Sequence, residues 1–103
     1  MTLKTDKSTF IPNTPLTTAV LFLIFNRPET TQQVFSTIRQ AKPPRLYVAA
    51  DGPRIENPDE ANQCELARSI ATQVDWKCEV KTLFQDQNLG CRLAVSGAVD
   101  WFF

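Results

Sequence analysis

The stretch Ala19-Val-Leu-Phe-Leu-Ile-Phe25 constrains this chain more than any other part of it. It is a continuous apolar run rich in β-branched and aromatic residues, and Asn26-Arg27-Pro28 closes it. A strand with one wet face would alternate polar and apolar residues. This run does not, so it predicts a strand covered on both faces, as the central strands of a parallel sheet are. A helix of that length would be too short to stand as a buried element.

The residues after it alternate between helix and strand signals. Pro28 suits a first helical turn and Glu29 suits its positive end. Thr31, Val34, Phe35 and Ile38 then follow at i, i+3, i+4 and i+7, predicting an amphipathic helix to about Ala41, stopped by Pro43-Pro44. Arg45 to Ala50 reads as a second strand, ended by Asp51-Gly52-Pro53. After a polar loop, Asn57 is a candidate N-cap, Pro58 a first-turn residue, and Asp59-Glu60 complement the helix dipole. Ala61, Cys64, Ala67, Ile70, Ala71 and Val74 carry that second helix. Cys78 to Phe84 alternates in part and predicts a third strand nearer an edge, and Leu89 onward begins a third helix. Strand, helix, strand, helix, strand, helix with short links is the pattern of parallel βαβ units with right-handed crossovers.

The expected organisation is a flexible N-terminal tail over 1–18 and a partial α/β domain over 19–103. The last helix stops on Trp101-Phe102-Phe103 with no C-cap glycine, basic turn or polar tail. Either it is cut there, or its rings cover this core or a second copy of the chain. Residues 1–15 contain no signal-peptide core, and no stretch is long enough to span a bilayer, so a cytoplasmic location, or the cytoplasmic face of a membrane, is expected.

Several chemistries lack their residues. Eleven Lys+Arg balance eleven Asp+Glu, so no basic stripe points to nucleic acid. With no His, the usual general base and the commonest metal ligand are missing. Cys64, Cys78 and Cys91 form no CxxC pair, and Cys64 and Cys78 read as small core residues in a reducing compartment. Cys91 follows a glycine at a helix start, where a thiolate could be stabilised. Ser36, Ser69 and Ser96 have no His to activate them. Neither G-x-G-x-x-G nor G-x-x-x-x-G-K-[ST] is present. No catalytic residue and no metal site is expected within these 103 residues.

Ligands of open α/β sheets bind outside the carboxyl ends of the strands. Three polar clusters should lie there: Asn26-Arg27-Pro28-Glu29, Asp51-Gly52-Pro53-Arg54 and Gln87-Asn88-Leu89-Gly90-Cys91-Arg92. Asp51 could accept from a ribose or a base N–H, with Gly52 leaving room for a ring. It could equally cap its own turn, as Asp-Gly pairs often do. Asn26 and Arg27 could meet a base or phosphate, although Arg27 and Arg92 could also be solvated.

These segments resemble the amino-terminal part of GT-A-type glycosyltransferases, the nucleotide-diphospho-sugar transferases of the family 2 kind. Asn26-Arg27-Pro28-Glu29-Thr30 after an apolar strand is similar to that family's "P-x-[YF]-N-R" opening, and Asp51-Gly52 to its "V-D-D-G-S" segment. Asn88-Leu89-Gly90-x-x-x-Ala94 is similar to its "N-x-G-x-x-x-A" helix entry. The segments "LFLIFNRPETT" and "LYVAADGPR" resemble a bacterial subgroup labelled sugar transferase or hemolytic-protein-like. The likeness spans residues 19–103.

The resemblance implies a Rossmann-like βαβαβα half of a GT-A fold, with three mostly parallel strands and a truncated last helix. It implies a nucleotide-sugar donor, commonly a UDP-sugar, an unknown acceptor, and nucleotide contacts among Asn26, Arg27, Glu29, Asp51 and Arg92. It also implies Mn²⁺ or Mg²⁺ on the diphosphate, held by a DxD-like motif that this chain lacks. Ala50 stands where the family has an Asp before Asp51, so the chain alone is expected to hold a nucleoside weakly and not to transfer sugar. A stand-alone α/β module would instead self-associate through the C-terminal aromatic helix as a homodimer. A nucleotidylyltransferase would need a glycine-rich basic loop after the first strand, which Asn26-Arg27-Pro28-Glu29 poorly replaces.

Overall fold

The computed structural model describes Leu3–Lys4 and residues 19–103. The elements run β1 (Leu3–Lys4), β2 (Val20–Ile24), α1 (Pro28–Ala41), β3 (Arg45–Ala50), α2 (Glu60–Ala71), β4 (Glu79–Phe84) and α3 (Cys91–Phe102). One sheet has the order β1-β2-β3-β4. β2 pairs parallel with β3, and β3 parallel with β4, in registers that start at Val20↔Leu46 and Arg45↔Glu79. This α/β arrangement is compatible with a Rossmann-like half-domain.

Side-chain parity explains the layers. Val20, Phe22 and Ile24 of β2 and Leu46, Val48 and Ala50 of β3 share one buried cluster with Phe35 and Ile38 of α1 and Ala67 and Ala71 of α2. Leu21 and Ala49, one residue out of phase, join Ala98 of α3 on the other face, backed by Leu23, Tyr47 and Leu83. Successive strand residues point to opposite faces, so an apolar run without alternation is what two covered faces require. Two parallel crossovers stepping in the same direction along the sheet put α1 and α2 on the same side when they share one hand, as such connections do.

The helix ends follow local chemistry. α1 begins with Pro28 in its first turn and ends where Lys42 turns left-handed (φ 48°), its N–H donating to the Ile38 carbonyl. Pro43 and Pro44 then forbid continuation. α2 begins at Glu60 and not in the Asn57-Pro58 turn, because the Asn57 carbonyl accepts the Glu60 N–H in a turn that precedes the helix. Val74 lies beyond the end of α2 yet still packs on the core.

β4 lies at a sheet edge, and its first four residues are exposed. Leu3–Lys4, within the segment expected to be a tail, pairs antiparallel with Leu21 and Phe22 of β2. An open edge of β2 offers unpaired backbone groups that recruit such a strand. The rest of the expected tail, residues 1, 2 and 5–18, lies outside the described residues. Trp101 and Phe102 turn back onto the chain's own sheet, edge-on to Tyr47 at 5.2 and 5.0 Å. Among the described residues, no helix is long and apolar enough to cross a membrane.

Candidate functional site: a cleft at the carboxyl edge of the sheet

A cleft of about 420 Å³ opens at the carboxyl ends of β2, β3 and β4. Its apolar wall comes from strand ends and α3: Leu23, Ile24, Ala49, Ala50, Leu83 and Val95. Its polar lining is Asn26, Arg27, Asp51, Arg54, Gln85 and Asn88, with Cys91 at the start of α3. Parallel strands deliver these groups together, because each βα connection leaves from the same edge. Asn26, Arg27 and Asp51 are therefore brought to one place, as the sequence led us to expect. Glu29 and Arg92 are exposed and do not line the cleft.

Asp51 is buried, and its carboxylate is committed within the chain. Oδ1 accepts the N–H groups of Gly52 and Leu89, both at 2.8 Å. Oδ2 accepts the Gly90 N–H and the Asn88 amide, both at 3.1 Å. An ionised carboxylate offers about four acceptor sites, so this one has none left for a ligand. Asp51 caps its own turn through Gly52 and also pins the entry to α3, 38 residues away. The space over Gly52 is taken as well. A Cβ there would lie 2.5 to 2.7 Å from the backbone of Gln87, so Gly52 makes room for the β4–α3 loop and not for a ligand ring. Gly90 carries φ 87° and ψ 151°, a backbone conformation essentially reserved for glycine, where the loop turns into α3.

Glu60 is the second committed acid. It is only 4% exposed. Its Oε1 accepts the backbone N–H and Nε of Arg54, at 2.8 and 3.0 Å. Its Oε2 accepts Arg54 Nη2 at 2.6 Å and Asn26 Nδ2 at 2.8 Å. The hydrogen bond from the Arg54 side chain holds the Glu60 carboxyl down at about 2, with its backbone N–H and Asn26 adding to the effect against the cost of burial. Glu60 in turn raises the Arg54 guanidinium above its ordinary value. Arg68, from α2, ties the strand ends: its Nη2 donates to the carbonyls of Asp51 (3.1 Å) and Gln85 (2.8 Å). Its guanidinium lies 4.8 Å from the Phe84 ring centre, and its buried Nε has no hydrogen-bond partner.

Sequence reasoning placed Arg54 in an edge cluster without giving it a role, read Glu60 only as complementing a helix dipole, and did not single out Arg68. A signal for Glu60 was present: Glu60, Cys64, Ala67 and Ala71 are the buried stripe of α2, at helical spacing. An acid on a buried stripe needs a partner, and Arg54 is six residues upstream.

Cys64 and Cys78 are free thiols whose ionisation is pushed up by burial. Cys91 is also free, and it is exposed. Among the described residues, no group of three His, Cys, Asp or Glu side chains can hold a metal ion. The lone pairs of Asp51 and Glu60 are already used, so neither of these two buried acids is available to a divalent cation.

Fold and cleft together define a class: a parallel α/β unit, covered on both faces, with a polar-lined cleft at its carboxyl edge. No family model, curated protein or solved structure matches the chain.

Proposed function

We propose that this chain is the nucleoside-holding, amino-terminal part of a glycosyltransferase that uses a nucleotide-diphosphate sugar, with a UDP-sugar as the donor. The carboxyl-edge cleft carries this proposal. It sits where open α/β sheets bind ligands, and its volume of about 420 Å³ is at the small end for ligand pockets. That size suits a nucleoside better than a whole sugar nucleotide. Apolar strand ends supply a surface for a flat ring, and Asn26 and Arg27 supply polar contacts, in keeping with the "N-R" segment that the family resemblance rests on. Asp51 enters as the residue that sets the loop over the cleft and not as a ligand acceptor. The described residues include no ligand set for the cation of that family, so binding without transfer is what this chain should do alone.

Titration of UDP and UDP-glucose against the 103-residue chain by calorimetry tests the proposal. The expected Kd is on the order of 0.1–1 mM, a modest affinity befitting partial enclosure. UDP-glucose should bind no more tightly than UDP, and Mn²⁺ should not improve either. No detectable binding of either compound would sink the proposal.

Self-association through the C-terminal aromatic helix is the alternative. It has less apolar surface to use, because Trp101 and Phe102 contact Tyr47 within the chain, although Leu93 and Phe103 are exposed. Light scattering that gives a tight dimer with no nucleotide affinity would favour it.

A further inference from the structure

We propose that Arg54, held in place by Glu60, is a ligand-contacting residue of the cleft that reads an uncharged oxygen of a nucleoside, a base carbonyl or a ribose hydroxyl, and not its phosphates. The inference rests on the nucleotide reading above and names a contact and a chemistry that the family resemblance does not supply.

Arg54 lines the cleft, and its side chain is 47% exposed. Its guanidinium lies 6.0 Å from the ring centre of Phe25, which also lines the cleft. The Nε–Nη2 edge is given to Glu60, at 3.0 and 2.6 Å. A guanidinium has five N–H donors in a rigid fork, so the two committed here leave roughly three, including both on Nη1. Nη1 has no hydrogen bond among the described residues.

Glu60 contributes two further constraints. It binds the Arg54 backbone N–H as well as its side chain, so the fork is anchored at both its base and its head. The same carboxylate holds the Asn26 amide from the neighbouring strand end, at 2.8 Å. Ordering a long arginine side chain normally costs rotamer entropy at the moment of binding; here that cost falls on folding. Glu60 is thus a positioning residue that acts through Arg54 and Asn26.

Charge decides what the fork reads. Arg54 and Glu60 cancel, so the pair presents directed donors with little net field. Arg27 also lines the cleft, is exposed, and makes no ion pair or hydrogen bond through its side chain among the described residues. A phosphate is drawn to the uncompensated cation, while a neutral oxygen gains more from fixed donors than from net charge.

The test titrates uridine, 2′-deoxyuridine and UDP against the full chain and its variants at low and high salt. Arg54→Met alone leaves Glu60 buried and unpaired, so Arg54→Met with Glu60→Gln is measured beside it, and circular dichroism checks that both are folded. Loss of the Arg54 fork should weaken uridine and UDP by the same factor, roughly tenfold, with no salt dependence in that factor. Arg27→Gln should weaken UDP only, and less so at high salt. Glu60→Gln should weaken uridine while weakening UDP less, because the released Arg54 charge then favours the phosphates; a purely structural Glu60 would weaken both alike. If the Arg54 effect disappears with 2′-deoxyuridine, the acceptor is the ribose hydroxyl; if it persists, the acceptor is elsewhere on the nucleoside, with the base carbonyl expected. Unchanged uridine affinity in the double variant, or a loss confined to UDP, would overturn the inference and leave the nucleotide reading standing. No binding of any of the three by the unaltered chain would overturn both.

Discussion

Replacing Asp51 by alanine removes the acceptor of four hydrogen bonds at once, and the expected cost follows from where the four donors sit. The Gly52 N–H is on a buried residue, so it loses its partner with little access to water, a penalty of about 1–3 kcal/mol. Leu89 is exposed, and Asn88 and Gly90 are half-buried, so water can replace the carboxylate for these three. Each then costs only the net worth of its bond, about 1 kcal/mol. The sum is about 4–6 kcal/mol, against the roughly 5–15 kcal/mol that holds a domain of this size together. With a urea m-value of about 2 kcal/mol/M, the midpoint should fall by about 2–3 M. Trp76 and Trp101 report on opposite faces of the sheet, so their fluorescence follows the transition on both. Hydrogen exchange at the Leu89 and Gly90 amides should accelerate more than exchange in the central strands. Asp51→Asn keeps the shape but turns an amide NH₂ toward other donors at one of the two oxygen positions, and should lose about half as much. A variant Asp51→Ala with near-normal stability and abolished uridine binding would refute this reasoning and restore Asp51 as a direct ligand acceptor.

Further outcomes follow from other residues. Gly52→Ala drives a methyl into the Gln87 backbone and should cost about 1–3 kcal/mol in thermal or urea unfolding, with loss of uridine affinity as the loop shifts. Gly90→Ala meets no atom within 4 Å, so its cost, also about 1–3 kcal/mol, should come from backbone strain alone. Lys42→Gly relieves a left-handed residue at the end of α1 and should stabilise by up to about 1 kcal/mol. The Glu60 carboxyl is lowered in the folded chain from 4.5 to about 2, so its contribution is fully present above about pH 4.5 and is lost as pH falls toward 2. Acid unfolding of Glu60→Gln should lack the part of the pH slope that falls in this window; equal slopes in the two proteins would contradict the assignment.

The elements were legible because their signals are local. Seven adjacent apolar residues around β2, the i, i+3, i+4 spacing of α1 and the Pro43-Pro44 stop each need only their own few neighbours. The general position of the cleft was legible for the same reason, since parallel connections place Asn26, Arg27 and Asp51 at one edge whatever the side-chain details. The start of α2 was misjudged because Asn57 and Pro58 look like a helix entry, whereas the chain spends a turn there before the Arg54–Glu60 contact is made. The tail assignment could not foresee that Leu3–Lys4 would meet β2, since two residues have no periodicity to recognise.

Residue roles in the cleft were not legible in this way. Asp51 looked available because a carboxylate at a strand end is free until something binds it, and what binds it comes from Asn88, Leu89 and Gly90, 37 to 39 residues along the chain. Gly52 looked like space until Gln87 filled it. Asn26 and Glu60, 34 residues apart, meet only once α2 has packed against the sheet. By itself, then, the sequence determined the alternation of elements, the doubly covered sheet and the edge at which the cleft opens, because hydrophobic periodicity and prolines act over a few residues. Tertiary structure alone decided which polar groups at that edge are already satisfied and which still face the cleft. Hydrogen bonds between distant loops depend on where the backbones come to rest, and no local pattern encodes that.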